Sequence, residues 1–139
     1  MEQLDFYTAL KTAWDADSTL RTFNGPYQDE KPSGTSVGMP YVVISGTNSR
    51  REFQSNLSVY RSHLFNLAIY DRTPELVRQH LKTIGGKLDT ILVPSMSVAA
   101  NTGNVVRGDR DDGDVEAIDK LMARATLSFY VLTARPRVA

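Results

Sequence analysis

Apolar residues along this chain fall into two helical stripes and several alternating runs, divided by polar stretches rich in Gly and Pro. Phe6, Leu10, Ala13 and Trp14 fall at i, i+4, i+7 and i+8, the spacing of one helix face, which predicts a helix over 3–15. Residues 24–38, NGPYQDEKPSGTSVG, carry two prolines, three glycines and few large apolar groups, which predicts a loop. Pro40 opens a short β-branched run, Tyr41-Val42-Val43-Ile44. The polar stretch GTNSRREFQSN then projects as an extended hairpin and returns as a strand over 57–70. Within that strand Phe65, Leu67 and Ile69 share one face, and Leu64, Asn66 and Ala68 the other.

A second helix begins at Thr73-Pro74-Glu75. Thr can cap the free amides, Pro suits the first helical position, and Glu suits the positive end of the dipole. Val77, Leu81, Ile84 and Leu88 carry its stripe to about residue 89, straight across Gly85-Gly86, where small residues would let another backbone come close. A weak strand of small residues over 95–107 and a charged loop, GDRDDGDVEAIDK, follow. The last strand alternates cleanly. Leu121, Ala123, Ala125, Leu127, Phe129 and Val131 face one way, and Met122, Arg124, Thr126, Ser128 and Tyr130 the other. The predicted class is α+β: an antiparallel sheet with helices packed on one face, in the order α-β-β-α-β-β. The whole of 1–139 forms one domain, with long loops at about 24–38, 46–57 and 101–116.

The 139 residues suit a single core, with 41% hydrophobic and 23% charged side chains. Sixteen basic residues balance sixteen acidic ones, so no global field draws the chain to nucleic acid or to an anionic membrane. The absence of cysteine excludes disulfides, zinc thiolates, iron–sulfur clusters and a cysteine nucleophile, and suits folding in the cytosol. No apolar run approaches the ~18 residues of a membrane span, and MEQLDFYTAL lacks the basic and apolar parts of a signal peptide.

Candidate chemistry is sparse. Asp109, Asp111, Asp112, Asp114 and Glu116 form an acidic cluster, but counting from Asp109 places Gly113 fifth where a calcium loop requires Gly sixth, and Arg110 intervenes. A solvated loop explains the cluster better than a metal. His63 on a strand and His80 on a helix are the only histidines, with no GxSxG or HExxH pattern around them, so structural roles outweigh catalytic ones. Arg107-Gly108-Asp109 spells an adhesion tripeptide, a three-letter coincidence. Arg50-Arg51 with Phe53 offers two charges and a ring, thin support for a nucleic-acid contact and better suited to a loop meeting a protein. These readings predict no enzyme, no metal and no cofactor.

The order of LDFYTALKTAW, MPYVVISG, LFNLAIYDRTPELVRQHLKTIGGKLD and ARATLSFYVLTAR resembles the tail-completion proteins of long-tailed bacteriophages, the tail terminator or tail-to-head joining family. The resemblance spans about residues 3–135 and departs from the family in the acidic insertion before the last strand. It implies a virion protein, assembled in the host cytoplasm, that forms a homo-oligomeric ring, a hexamer, at the head-proximal end of the tail. Such a ring ends the tube, meets the tail tube protein and the head-tail connector proteins, and lets DNA pass. Arg50, Arg51, Phe53, Asp109, Asp111 and Asp112 are the expected subunit-interface residues. Another neck protein, a head-closure or connector component, and a small ligand-binding α+β domain stand as alternatives.

Overall fold

A computed structural model of the chain describes residues 2–28, 38–54, 57–91 and 104–136. Helix α1 (Glu2–Ala16) and a 3-10 turn (Leu20–Thr22) lead into strands β1 (Asn24–Gln28), β2 (Tyr41–Gln54) and β3 (Ser58–Asp71). Helix α2 (Pro74–Ile91) and strands β4 (Asn104–Asp119) and β5 (Met122–Pro136) complete the described chain. The five strands make one sheet in the spatial order β1-β2-β3-β5-β4.

The α+β class holds, but two features of the expected sheet do not. The order is α-β-β-β-α-β-β, and the sheet is mixed, because β1 lies parallel to β2 while the other neighbours are antiparallel. β1 falls in a stretch whose Gly and Pro suggested a loop. Pro26 is tolerated because β1 is an edge strand. Gly25 is required there: its φ is +107°, and a Cβ would sit 2.5 Å from the Val42 carbonyl oxygen.

The expected loops shrink accordingly. The polar stretch after Ile44 is strand to Gln54, and the charged stretch before the last strand is strand from Asn104 to Asp119. Residues 29–37, 55–56 and 92–103 lie outside the described residues, so the remainder of those expected loops, and most of the weak strand over 95–107, goes undescribed. The last strand begins at Met122, and Leu121 sits in the preceding turn, 78% exposed.

Both helices cover one face of the sheet. A single apolar cluster joins Leu10 and Trp14 of α1 and Val77, Leu81, Ile84 and Leu88 of α2 to alternate residues of the strands. The strand contributions are Val42 and Ile44, Phe65, Leu67 and Ile69, Val105, and Ala123 through Val131 at every second position. Phe65 and Phe129, direct register partners, stack at 5.0 Å between centroids and 13° between planes. The cap expected at α2 is present: Thr73 Oγ1 accepts the Leu76 amide at 3.2 Å.

Polar contacts fix the elements at the margins of this core. Tyr7 Oη donates to the Pro26 carbonyl at 2.9 Å and Lys11 Nζ to the Gly25 carbonyl at 2.7 Å, tying α1 to β1. Asp17 Oδ1 accepts the amides of Thr19 at 2.9 Å and Leu20 at 3.0 Å, while its Oδ2 lies 3.5 Å from Lys87 Nζ on α2. The Leu20 amide, chiefly, holds the Asp17 carboxyl below its ordinary value, helped by the Thr19 amide and Lys87. At the other end of the helix pair, His80 Nε2 donates to Asp71 Oδ2 at 2.6 Å, and Phe23 meets the His80 ring edge-on at 4.9 Å.

Two outcomes are expected. Leu127→Asp places a carboxylate at a position 1% exposed, a cost of several kcal/mol against a total stability of about 5–15 kcal/mol, so the variant fails to show a cooperative thermal transition. A melting temperature equal to that of the parent chain would contradict the register. For Asp17, a depressed folded-state pKa means its stabilisation is present above the ordinary value of 3.8 and is lost as pH falls through the lower, folded value. Asp17→Asn keeps the amide acceptor but not the titration, so its melting temperature falls less steeply with acidification than that of the parent.

Candidate assembly surface

With the helices on one face, alternation sends every second strand residue to the other, where no described helix packs. Four registered residues form a row across it, Tyr41–Tyr70–Arg124–Glu116, one each from β2, β3, β5 and β4. Tyr41 stacks on Tyr70 at 4.7 Å and 14°. Arg124 lies beside Tyr70 and pairs with Glu116, and these two neighbours raise its pKa above the ordinary arginine value. Burial, with Tyr70 alongside, raises the Tyr41 phenol. The row therefore runs from a desolvated aromatic end to a charged end at the β4 edge.

The next rows are more open. Ser128 Oγ donates to Asn66 Oδ1 at 2.7 Å in the row Ser45–Asn66–Ser128–Asp111. Beyond it lies Asn48–Leu64–Tyr130–Asp109, where Leu64 is 46% and Tyr130 37% exposed. An uncovered antiparallel sheet face is common, but such sheets usually keep it polar. Exposed Leu and Tyr interleaved with Asn, Ser and Asp give it the mixed character of a protein-contact surface.

The expected interface residues are not gathered on two loop tips. Arg50, Arg51 and Phe53 belong to the distal half of β2, registered opposite Ser62, Arg61 and Tyr60; their side chains lie outside the described residues. Asp109, Asp111 and Asp112 belong to β4, registered with Tyr130, Ser128 and Leu127, and strand alternation splits them between faces. Asp109 and Asp111 share the outer face. Asp112 turns to the helix side with Arg110, whose guanidinium bridges Asp89 Oδ2 of α2 at 3.0 Å and Asp112 Oδ1 at 3.3 Å. That alternation is also why the acidic run makes no cage: among the described residues no three His, Asp or Glu side chains converge on a point where a metal could sit.

Gly85 has a role other than backbone approach. A Cβ there would lie 1.6 Å from Arg110 Nη1, so the glycine makes room for the guanidinium to reach Asp89 across α2. Gly113 lies at a bulge in β4, where a Cβ would meet Thr126 Oγ1 at 2.4 Å.

Two clefts flank the middle of β4. One of about 180 Å³ lies between it and α2, lined by Leu88, Asp89, Gly108, Asp109, Arg110 and Phe129. The other, about 130 Å³, opens beside Leu64, Asp111, Ser128 and Tyr130. Both are below the ~300 Å³ at which small-molecule pockets begin and suit single side chains. Neither contains a histidine. His63 is buried and shares a hydrogen bond with Thr133 Oγ1 at 3.0 Å, and His80 is occupied by Asp71. The Tyr–Tyr–Arg–Glu row escaped the sequence reading, since only strand register shows that these residues share a line. The alternation of the last strand did place Arg124 off the core face.

No protein-family model matches the chain, and no curated protein matches it. Among solved structures, a chain from the virion of a native gene transfer agent particle is 14% identical, with 92% of this chain and 93% of that one covered and a TM-score of 0.60. A second solved chain, whose name describes no activity, is 10% identical, with 98% and 93% covered and a TM-score of 0.57. At these identities the likeness is one of fold.

The Gly85–Arg110 arrangement yields a two-variant test. Ala in place of Gly favours a helix interior by about 1 kcal/mol, while displacing the half-buried Arg110 guanidinium from the exposed Asp89 costs about 1 kcal/mol. Gly85→Ala alone is therefore near neutral. In an Arg110→Ala background it stabilises by about 1 kcal/mol, read as a positive coupling in a double-mutant cycle of denaturant unfolding.

Proposed function

We propose that this chain is a structural subunit of a phage-like particle. It assembles as a homo-oligomeric ring, a hexamer, at the head-proximal end of the tail, where it ends the tube and joins it to the head connector. The observation that carries this reading is the fold shared over nearly the whole of both chains with a component of a gene transfer agent virion. The resemblance of the helix, strand and helix-start segments to tail-completion proteins points the same way. The site chemistry agrees: the two clefts are too small for a substrate, while one whole sheet face and its flanking edge carry mixed polar and aromatic groups suited to protein contact. On this reading the chain is not an enzyme and binds no cofactor, its partners are itself, the tail tube protein and the connector proteins, and DNA passes through the ring.

Particles produced without the protein test the reading directly. Electron microscopy is expected to show filled heads detached from tails of irregular length, and negative stain of the purified protein to show rings. Tails of normal length left unattached, with heads that leak DNA, would instead place the protein in the head-side neck. Intact, infectious or transducing particles would reject a structural role.

The charged strands supply a variant test. Exposed ion pairs contribute about 0.2–1 kcal/mol each, too little to govern folding of the subunit. Arg50→Glu with Arg51→Glu is expected to leave the melting temperature nearly unchanged and to reduce the yield of joined particles. Adding Asp109→Lys and Asp111→Lys is expected to restore part of that yield. Full joining by the arginine double variant would remove these residues from the interface.

A further inference from the structure

Besides the outer side of the short β1, which carries Pro26 and so lacks one donor, the sheet has two strand edges with no neighbour among the described residues. One is the outer side of β4. The other is the distal half of β2: β1 pairs with β2 only from Tyr41 to Ile44, so residues 45–54 have a partner on the β3 side alone. Unpaired edges are templates for another strand.

The two edges differ in charge. β4 carries Asp109, Asp111, Asp112, Asp114, Glu116 and Asp119 against Arg107 and Arg110. Two of its acids are neutralised within the subunit, Asp112 by Arg110 and Glu116 by Arg124. Asp111 and Asp114 have no ion-pair partner among the described residues. The distal half of β2 carries Arg50 and Arg51 against Glu52.

Like charges across paired strands are destabilising, which penalises β4 against β4 and β2 against β2. The opposite-edge combination is favoured. Direction agrees with it. β2, β3, β5 and β4 alternate in direction, so β4 runs antiparallel to β2 within one subunit. Continuing the same strand order into a neighbouring copy sets β4 beside the next β2 in the antiparallel sense, the better-bonded arrangement. A contact between two different edges is heterologous and propagates head to tail, closing into a ring where the rotation between copies permits. The clefts on both sides of Asp109 and Arg110 leave room at that edge for side chains from the arriving strand.

We infer that a second copy of this chain docks edge to edge, the outer side of β4 on one subunit lying antiparallel to residues 45–54 of β2 on the next. This rests on the proposal that the chain assembles with itself and adds which surfaces meet.

The cysteine-free chain allows a direct test. Ser49→Cys labels the β2 edge, and Val106→Cys and Ala117→Cys label the two ends of β4. Each variant holds one thiol, so any disulfide joins two copies, and it forms only where Cα atoms come within about 7 Å. Sedimentation is expected to show an oligomer for each variant. Under mild oxidation, Ser49→Cys mixed with one of the β4 variants is expected to give a mixed disulfide dimer that neither forms alone and that Arg50→Glu/Arg51→Glu abolishes. An oligomer with no mixed dimer in either combination, or a Ser49→Cys homodimer, overturns the edge pairing and leaves self-assembly standing. A monomer at every concentration overturns self-assembly itself and the pairing with it.

Discussion

The pairing of β3 with β5 is the constraint on which the rest of this structure depends. Fourteen consecutive partners, from Ser58↔Pro136 to Asp71↔Ala123, run without a bulge, whereas every other strand pair breaks register at least once. A slip of one residue would turn Phe65, Leu67 and Ile69 away from the helices along with Leu127, Phe129 and Val131. The stack of Phe65 on Phe129 sits at the middle of this seam and is available in one register only. α2 lies over it, and β2 and β4 are added on either side. Its partners are at least 52 residues apart in sequence, so this seam carries a larger loop-closure cost than the β2–β3 and β4–β5 hairpins.

One consequence of that seam is the one-sided character of the molecule. Burial is concentrated on the helix face, while the outer face is built from short polar and aromatic rows rather than from a second layer. The Tyr41–Tyr70–Arg124–Glu116 row pairs its members across four strands, although the buried Arg124 Nε has no hydrogen-bond partner, and Ser128 bonds Asn66 on a smaller scale. Groups already paired in the subunit can be covered by a partner without a large desolvation penalty.

Where the sequence was legible, a repeating physical period made it so. The alternation of Ala123 to Val131 and the stripe Val77–Leu81–Ile84–Leu88 are statements about burial, and burial followed them. The start of α2 was legible because Thr73 and Pro74 act locally. From Gly108 on, β4 looks like a loop in sequence because Asp and Glu dominate it, and Val105 is the only buried residue among its described side chains; its strand state is imposed by β5, not by its own propensity. β1 was hidden for the opposite reason, since a Gly at φ +107° and a Pro look like turn signals when the neighbouring strand is unknown. The interface candidates were legible as charge but not as position. Arg50 and Asp111 lie on strands three steps apart, about 14 Å at the usual strand spacing, and only the strand order reveals that they belong to opposite edges.

The single-layer packing also bears on how such a chain can diverge. Along each strand, one residue in two is held by volume and apolarity against the helices, where a lost methylene is felt. The intervening residues answer to whatever touches the outer face. Substitutions there leave the scaffold standing and alter only the company it keeps. A fold of this kind can therefore change much of its sequence while its backbone keeps its course. Such changes would collect on the outer face first, where whatever meets the sheet can alter faster than the architecture beneath it.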